Sequence, residues 1–429
     1  MIGIINAPMA PDDRGRPAAS SPGRTRLVAL DSLRGLAALT VVFCHVMWLC
    51  KPDTPLEAFY RTGVGPTHGL ERWAQWLGQL PMSFFIEITP LHLFVAGREA
   101  VILFYLLSGF VLYLAYQRGD GHRYRTFLTR RVCRIYLPYL AALALAVGLN
   151  ATVSTGYLPE MNNWFNYTWR QPVNWLQALK HVSLVGSFDT DRFLMPSWTL
   201  VHEMRISILF PALVWLLQRG DRRLPGVVLG LSAAGIALDA ALGSYGNYFI
   251  TLHYAGFFLL GAAMAQHREW SMHVYERLSP TRRAAFLTAG LALYVFGRMV
   301  SKVTGLPPTV GDLPVGVGAS CILLWSLSNP RVLQLAPVKW LGQVSYGLYL
   351  LHFSLLLASI YVLHAVLPLW LILGIGVGLS LGASALFFHF VEAPAIRLGR
   401  QLTMPAPRRP VPVRVTGAGH LAPPPERSW

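Results

Sequence analysis

The sequence predicts an all-α, polytopic transmembrane bundle of about ten helices with both termini on the cytoplasmic side, and three observations predict it. The chain of 429 residues is 54% apolar and only 13% charged, whereas soluble domains carry about 25% charged residues. Apolar runs of roughly eighteen or more residues recur along it, the length a helix needs to cross a bilayer. The basic residues alternate between segments. With the N-terminus inside, the inner segments hold 25 of the 36 Lys and Arg and the outer loops hold 8. That bias orients the chain with both ends inside and an even number of spans. It also accounts for the net charge of +16 without nucleic acid, because the arginines lie in short loops between apolar runs.

Taken in order, residues 1–26 read as a disordered cytoplasmic tail without the apolar core of a signal peptide. The transmembrane domain spans 27–398, with helices at 27–50, 99–117, 135–152, 197–217, 225–242, 247–266, 284–301, 313–328, 343–364 and 369–391. Two long outer loops, 51–98 and 153–196, are rich in Trp, Phe and Tyr. Residues 399–429 read as a second, Pro/Arg-rich disordered tail. Gly374, Gly378 and Gly382 form a small-xxx-small series suited to close packing of the last span. The four cysteines, Cys44, Cys50, Cys133 and Cys321, lack metal-ligand or paired spacing and read as free thiols.

The first helix, LVALDSLRGLAALTVVFCHVMWLC, carries three ionisable groups inside a span. Such groups are costly in a bilayer and mark functional sites. Asp31 and Arg34 are one turn apart and can pair. Arg34 and His45 are eleven residues apart, close to three turns, so they face the same way, with a rise of about 16 Å between them. The stripe is either a polar seam between helices or a site. A neutral His45 near the outer end would serve as a general base, or else be satisfied by a backbone carbonyl.

Glu203, in PSWTLVHEMRISILFP, falls at a depth matching that of His45 and is a candidate partner for it, or for an acceptor. Arg205 and His202 lie beside it, and Arg205 reads more readily as paired with an acidic neighbour. Arg131 and Arg134, one turn apart at the inner mouth of the third span, offer guanidinium forks suited to phosphate. The competing reading is topogenic. Ser108, Trp198, Tyr349 and His352 are candidates for lining a substrate path, with hydrogen bonding inside the bundle as the alternative for Tyr349 and His352. Next to Ser108, Gly109 leaves room for a close helix or an acyl chain. The Trp and Tyr of loop 153–196, Trp164 among them, offer faces for stacking on sugar rings, but for most of them a membrane interface is the better reading.

Several of these stretches together resemble the membrane-bound acyltransferase-3 family, of the type that acetylates bacterial O-antigens and exopolysaccharides. They are the Arg34-x10-His45 helix, FYLLSGF, Arg131-x-x-Arg134 followed by IYLP, SWTLVHE, SYGLYLLH and the closing VEAP. The resemblance runs from about residue 27 to 398. It implies a ten-helix bundle in the bacterial inner membrane that moves an acyl group, usually acetyl, from cytoplasmic acyl-coenzyme A to a hydroxyl of a carbohydrate or other small molecule. No metal is implied. By the same resemblance His45 is the catalytic histidine, Arg34 and Asp31 support the site, Arg131 and Arg134 contact the coenzyme A phosphates, and Glu203 occupies the family's acidic position. The extracytoplasmic esterase-like domain of some members is not expected here. The competing class is a secondary transporter or flippase of a glycan or lipid-linked metabolite, which intramembrane charge also suits. No internal repeat favours it.

Overall fold

The computed structural model describes residues 22–50, 86, 88–117, 124–169, 171–219, 224–242 and 247–404. Among these there is helix and no strand. The order is α1 (Pro22–Cys50), α2 (Gly97–Ala115), α3 (Tyr124–Val153), α4 (Asn163–Thr168), α5 (Trp175–Val182), α6 (Ser197–Gln218), α7 (Leu224–Leu242) and α8 (Ile250–Gln266). It continues with α9 (Arg268–Glu276), α10 (Pro280–Phe296), α11 (Met299–Thr304), α12 (Asp312–Ser328), α13 (Ala336–Leu363), α14 (Leu369–Phe387) and α15 (Ala393–Gln401). A π-helical turn, Phe388–Glu392, joins the last two. Among the described residues, seven stretches are long and apolar enough to cross a membrane: those of α1, α2, α3, α6, α7 and α13, and the run from α14 through α15. Helices α8 and α12 are also apolar, at 17 residues each. Each of the ten expected spans overlaps helix, the one expected at 284–301 being split between α10 and α11. The aromatic segment with Trp73, Trp76, Phe84 and Phe85 lies outside the described residues, as does most of both expected tails.

Two glycine crossings fix how the central helices meet. A Cβ on Gly35 would fall 2.4 Å from the Gly342 nitrogen, and one on Gly342 would fall 2.6 Å from the Asp31 carbonyl. Helices α1 and α13 therefore touch backbone to backbone. Gly109 and Gly261 bring α2 and α8 together in the same way, since a Cβ on either would run into the Phe258 or the Leu106 carbonyl. Gly109 thus makes room for a helix. Around these crossings Leu30, Ile102, Tyr105, Phe110, Phe210 and Phe258 form the main buried core.

Two expectations are corrected. Helix α3 starts at Tyr124 rather than near 135, since nothing between 124 and 138 breaks a helix and Phe127, Arg131 and Cys133 are buried along it. Arg131 and Arg134 therefore lie inside the bundle. Gly374, Gly378 and Gly382 face open space, with no atom within 4 Å of their virtual Cβ positions, while Gly376 meets Leu356 at 2.9 Å. The packed face of α14 is that of Gly376, Ser380 and Ser384, the last two wholly buried.

The segment between α3 and α6 folds over the end of the bundle to which Cys50 belongs. Asn162 and Asn174 cap α4 and α5 by accepting from the Phe165 and Gln177 amides at 2.9 and 3.1 Å. Asn162 also donates to the Trp48 carbonyl at 2.8 Å, tying α4 to the end of α1. Buried Arg192 donates to the carbonyls of Thr168, Gln171 and Pro172 at 2.9–3.2 Å, and Trp169 and Phe165 are fully buried beneath.

Candidate active site

The close crossing of α1 and α13 decides the surroundings of His45. One helical stretch beyond the Gly35–Gly342 contact, His45 Nδ1 lies 2.7 Å from His352 Nε2. His352 Nδ1 lies 2.9 Å from the Leu348 carbonyl, four residues back on the same helix. These two bonds assign the tautomers. A carbonyl only accepts, so His352 carries its proton on Nδ1 and presents a bare Nε2. His45 must then donate from Nδ1, which leaves its Nε2 as an unprotonated lone pair. The rings are nearly coplanar, 12° apart with centroids 5.0 Å apart. With the nitrogens at 2.7 Å, this is an edge-to-edge hydrogen bond and not a face-to-face stack. His352 is fully buried. Trp164 from α4 and Phe353 wall the His45 ring at 5.7 and 5.3 Å between centroids.

A second cluster lies deeper, around Arg34. Arg131 Nη2 donates to Glu203 Oε1 at 2.5 Å and its Nε donates to Ser207 Oγ at 3.0 Å. Ser108 donates to the same Glu203 oxygen at 3.1 Å. The charges of Arg34, Arg131, Arg134, Asp31 and Glu203 act on one another. Glu392, from the π-helical turn, joins them electrostatically and accepts from the Gly347 amide at 2.8 Å. Three guanidiniums and three carboxyls thus converge from α1, α3, α6 and the start of the closing segment. Glu203 is held by Arg131 and Ser108, not by an imidazole. The His45 partner is His352, for which hydrogen bonding inside the bundle, the alternative to a substrate path, is the reading that the contacts bear out.

The remaining candidates divide between two places. Tyr349, one turn before His352, shares a 2.7 Å hydrogen bond with the Thr199 hydroxyl, and its ring lies 6.2 Å from that of His352. Trp198, next to Thr199, packs instead with Arg98 and Tyr254, at 5.5 Å to the Arg98 guanidinium carbon and 6.0 Å to the Tyr254 ring. Among the described residues the partners of Arg205 are carbonyls and a hydroxyl rather than a carboxylate. It donates to the carbonyls of Val185, Gly186 and Asn247 at 2.7–3.2 Å and lies over the Tyr248 ring. His202 bonds Thr251 at 2.9 Å. Sequence reasoning missed the His45–His352 bond, the approach of Trp164 and the recruitment of Glu392. Only the i, i+4 placement of Leu348 and His352, which lets an imidazole share a helix carbonyl, carries a signal for the fixed tautomer.

No solved structure matches the chain. Among characterised sequences it is 23% identical over 331 residues to the peptidoglycan O-acetyltransferase OatA of Listeria monocytogenes, covering 71% of this chain and 52% of that protein. It is 24% identical over 359 residues to the acyltransferase MdmB of Streptomyces mycarofaciens, covering 78% of this chain and 80% of the relative. A putative peptidoglycan O-acetyltransferase of Bacillus subtilis, YrhL, is 25% identical over 330 residues, covering 70% of this chain and 50% of the relative. The chain thus spans about half the length of the two peptidoglycan-directed relatives. The profile of a family described as an acyltransferase domain, acyltransferase-3, matches residues 27–389. That match takes in the helix of His45, the α3 arginines, Glu203 and His352, and the chain belongs to the acyltransferase-3 family.

Proposed function

We propose that the protein is an integral-membrane O-acetyltransferase that moves an acetyl group from acetyl-coenzyme A to a hydroxyl of a carbohydrate or carbohydrate-bearing metabolite. One observation carries the chemistry. The His45–His352–Leu348 hydrogen-bond chain leaves His45 Nε2 as the free base of a half-buried, oriented imidazole. The acceptor hydroxyl gives its proton to His45 Nε2 as its oxygen bonds to the thioester carbonyl carbon. The carbon–sulfur bond then breaks, and the departing thiolate takes the proton back from His45 Nε2. His352 accepts from His45 Nδ1–H throughout and holds the ring in place. No metal and no covalent acyl-enzyme enter this scheme.

The donor would lie along the stripe from Arg34 to His45, a rise of about 16 Å. Arg131 is already engaged by Glu203 and Ser207, so the forks left for the coenzyme A phosphates are those of Arg134 and Arg34, with Arg131 adding its field. Trp164 and Trp48, whose rings lie 6.0 Å apart, would offer the acceptor sugar an apolar face beside His45. With the basic-residue bias as the guide to sidedness, the donor enters from the cytoplasm of a bacterial inner membrane and the acceptor from the opposite face. The alternative of a transporter gains no specific observation.

Reconstitution in sealed, singly oriented vesicles tests the reading. Acetyl-coenzyme A supplied at the Arg134 face is expected to acetylate an impermeant glycan trapped at the His45 face. His45→Ala is expected to retain less than about a hundredth of the rate, since general-base catalysis contributes roughly 10²–10⁴-fold. A His45→Ala protein that transfers acetyl at the wild-type rate would refute the assignment. Product formed only with both substrates on one face would refute the two-sided route.

A further inference from the structure

The proposed reaction leaves unused a second polar cluster, built where several helices end on the His45 side of the bundle. Arg98, in the first turn of α2, donates from Nη2 to Asp312 Oδ2 at 2.9 Å and to the Tyr254 hydroxyl at 2.8 Å, and from Nε to Asp312 Oδ1 at 3.5 Å. Its guanidinium lies 5.5 Å from the Trp198 ring centre and 5.8 Å from that of Tyr254. Asp312 opens α12 and is fully buried. It also faces His253 Nε2 at 3.4 Å and Arg298 Nε at 3.5 Å. His253 in turn bonds Ser232 at 2.8 Å.

Among the described residues the charges do not balance. One carboxylate faces two permanent cations, with the guanidiniums of Arg98 and Arg298 26% and 30% exposed. Burying Asp312 calls for one partner, and Arg98 supplies it with a 2.9 Å bond. Arg298 is surplus to that need, and its buried Nε makes no hydrogen bond. A second guanidinium held beside a satisfied ion pair is costly unless something else answers it.

The position of the cluster says what that something is. A Cβ on Gly97 would fall 2.6 Å from Cys44 Sγ, so the turn bearing Arg98 is level with the residue before His45. Trp198, which Arg98 faces, adjoins Thr199. Thr199 bonds Tyr349 at 2.7 Å, one turn from His352. The cluster and the proposed base thus share a depth and a continuous wall of side chains.

We propose that Arg98 and Arg298 form a subsite for a carboxylate on the acceptor, so that the acceptor is an acidic glycan. Trp198 presents an aromatic face to the sugar that carries this carboxylate. The excess of one positive charge matches a carboxylate better than a phosphate monoester, which carries about −1.5 to −2. The inference rests on the acyl-transfer reading for the word acceptor, but the anion subsite itself does not.

The test uses the full chain purified in detergent, with a hexuronic-acid oligosaccharide, the same compound methyl-esterified, and a neutral hexose oligosaccharide. Thermal unfolding and acetyl transfer are both read. The acid is expected to raise the unfolding temperature of the wild type and to be acetylated with a KM at least about tenfold below that of its ester, one charge-assisted pair being worth roughly that factor. Arg298→Gln, which leaves the Arg98–Asp312 bond in place, is expected to abolish both preferences, and Arg298→Lys to keep part of them. Equal response of the wild type to acid and ester overturns the subsite, as does acid binding unchanged in Arg298→Gln. Transfer without discrimination between acid and ester would overturn the subsite alone. Selective acid binding with no transfer to any glycan would overturn the acyltransferase reading and leave the subsite standing.

Discussion

Replacing His352 by Ala is the sharpest probe of the imidazole pair. The change removes the acceptor for His45 Nδ1–H, now bonded at 2.7 Å, and the wall on that side of the ring. Two costs follow. A buried donor left unsatisfied costs about 1–3 kcal/mol, so His45 is driven to other rotamers or to the opposite tautomer, with its proton on Nε2. In that tautomer Nε2 cannot take a proton at all. A fall in kcat of about 5- to 150-fold corresponds to that range at room temperature. The KM values for acetyl-coenzyme A and for the glycan are expected to move less than about threefold, since His352 is fully buried on α13 and touches neither substrate. His352→Gln is the informative companion. Its side-chain carbonyl accepts from His45 Nδ1–H, so it is expected to recover at least about tenfold over Ala. The assay is acetyl transfer by purified protein with both substrates varied, after thermal unfolding has shown each variant intact. The reasoning fails if Ala and Gln lose equal activity, or if the loss appears in KM with kcat unchanged.

Two further outcomes follow from other parts of the chain. Arg134→Ala is expected to weaken coenzyme A binding by about 10–100-fold, one or two charge-assisted bonds, with little change in unfolding temperature. Arg131→Ala instead strands Glu203, a loss of about 3–5 kcal/mol for a buried pair, and Arg131→Met with Glu203→Gln restores the unfolding temperature without restoring affinity. Calorimetry and thermal unfolding of the same samples separate the two arginines, and identical behaviour would contradict the geometry. In the segment over the His45 end, burial holds the His181 imidazole down at about 4 from its ordinary 6.5. The ring donates to the Asp189 carbonyl at 2.9 Å. The opened segment binds a proton that the folded one refuses, so stability is full above about pH 6.5 and is lost as pH falls from there towards 4. Limited proteolysis between α5 and α6 is expected to speed up across that window in the wild type and to show no such step in His181→Gln.

How much the sequence determined is clearest residue by residue. Helix positions followed from apolar run length, because a lipid environment forces backbone pairing within each run and leaves few alternatives. The shared face of Arg34 and His45 followed from helical periodicity on one element. Where the reading depended on hydropathy alone it slipped. Arg131 reads as the inner mouth of a span when charge alone marks the span's end, whereas α3 continues through it from Tyr124. Gly374, Gly378 and Gly382 matched a packing motif but face away from it, since a four-residue repeat names a helix face without saying what lies opposite.

What only the tertiary structure decided is which side chains meet across helices. Equal depth suggests Glu203 for His45, yet Glu203 bonds Ser108 and Arg131 in the deeper cluster around Arg34, and depth would in any case leave the rotation of each helix free. The crossing of Gly35 on Gly342 sets that rotation for α1 and α13 and delivers His352 to His45. Glu203 instead turns towards Arg131 on α3. The surplus cation at Asp312 was equally invisible, because Arg98 lies far along the chain from Arg298 and Asp312 and only their helix ends converge. A sequence records the charge of each residue and its place along one helix. Pairing depends on distances between helices, which are set by backbone contacts at a few small residues.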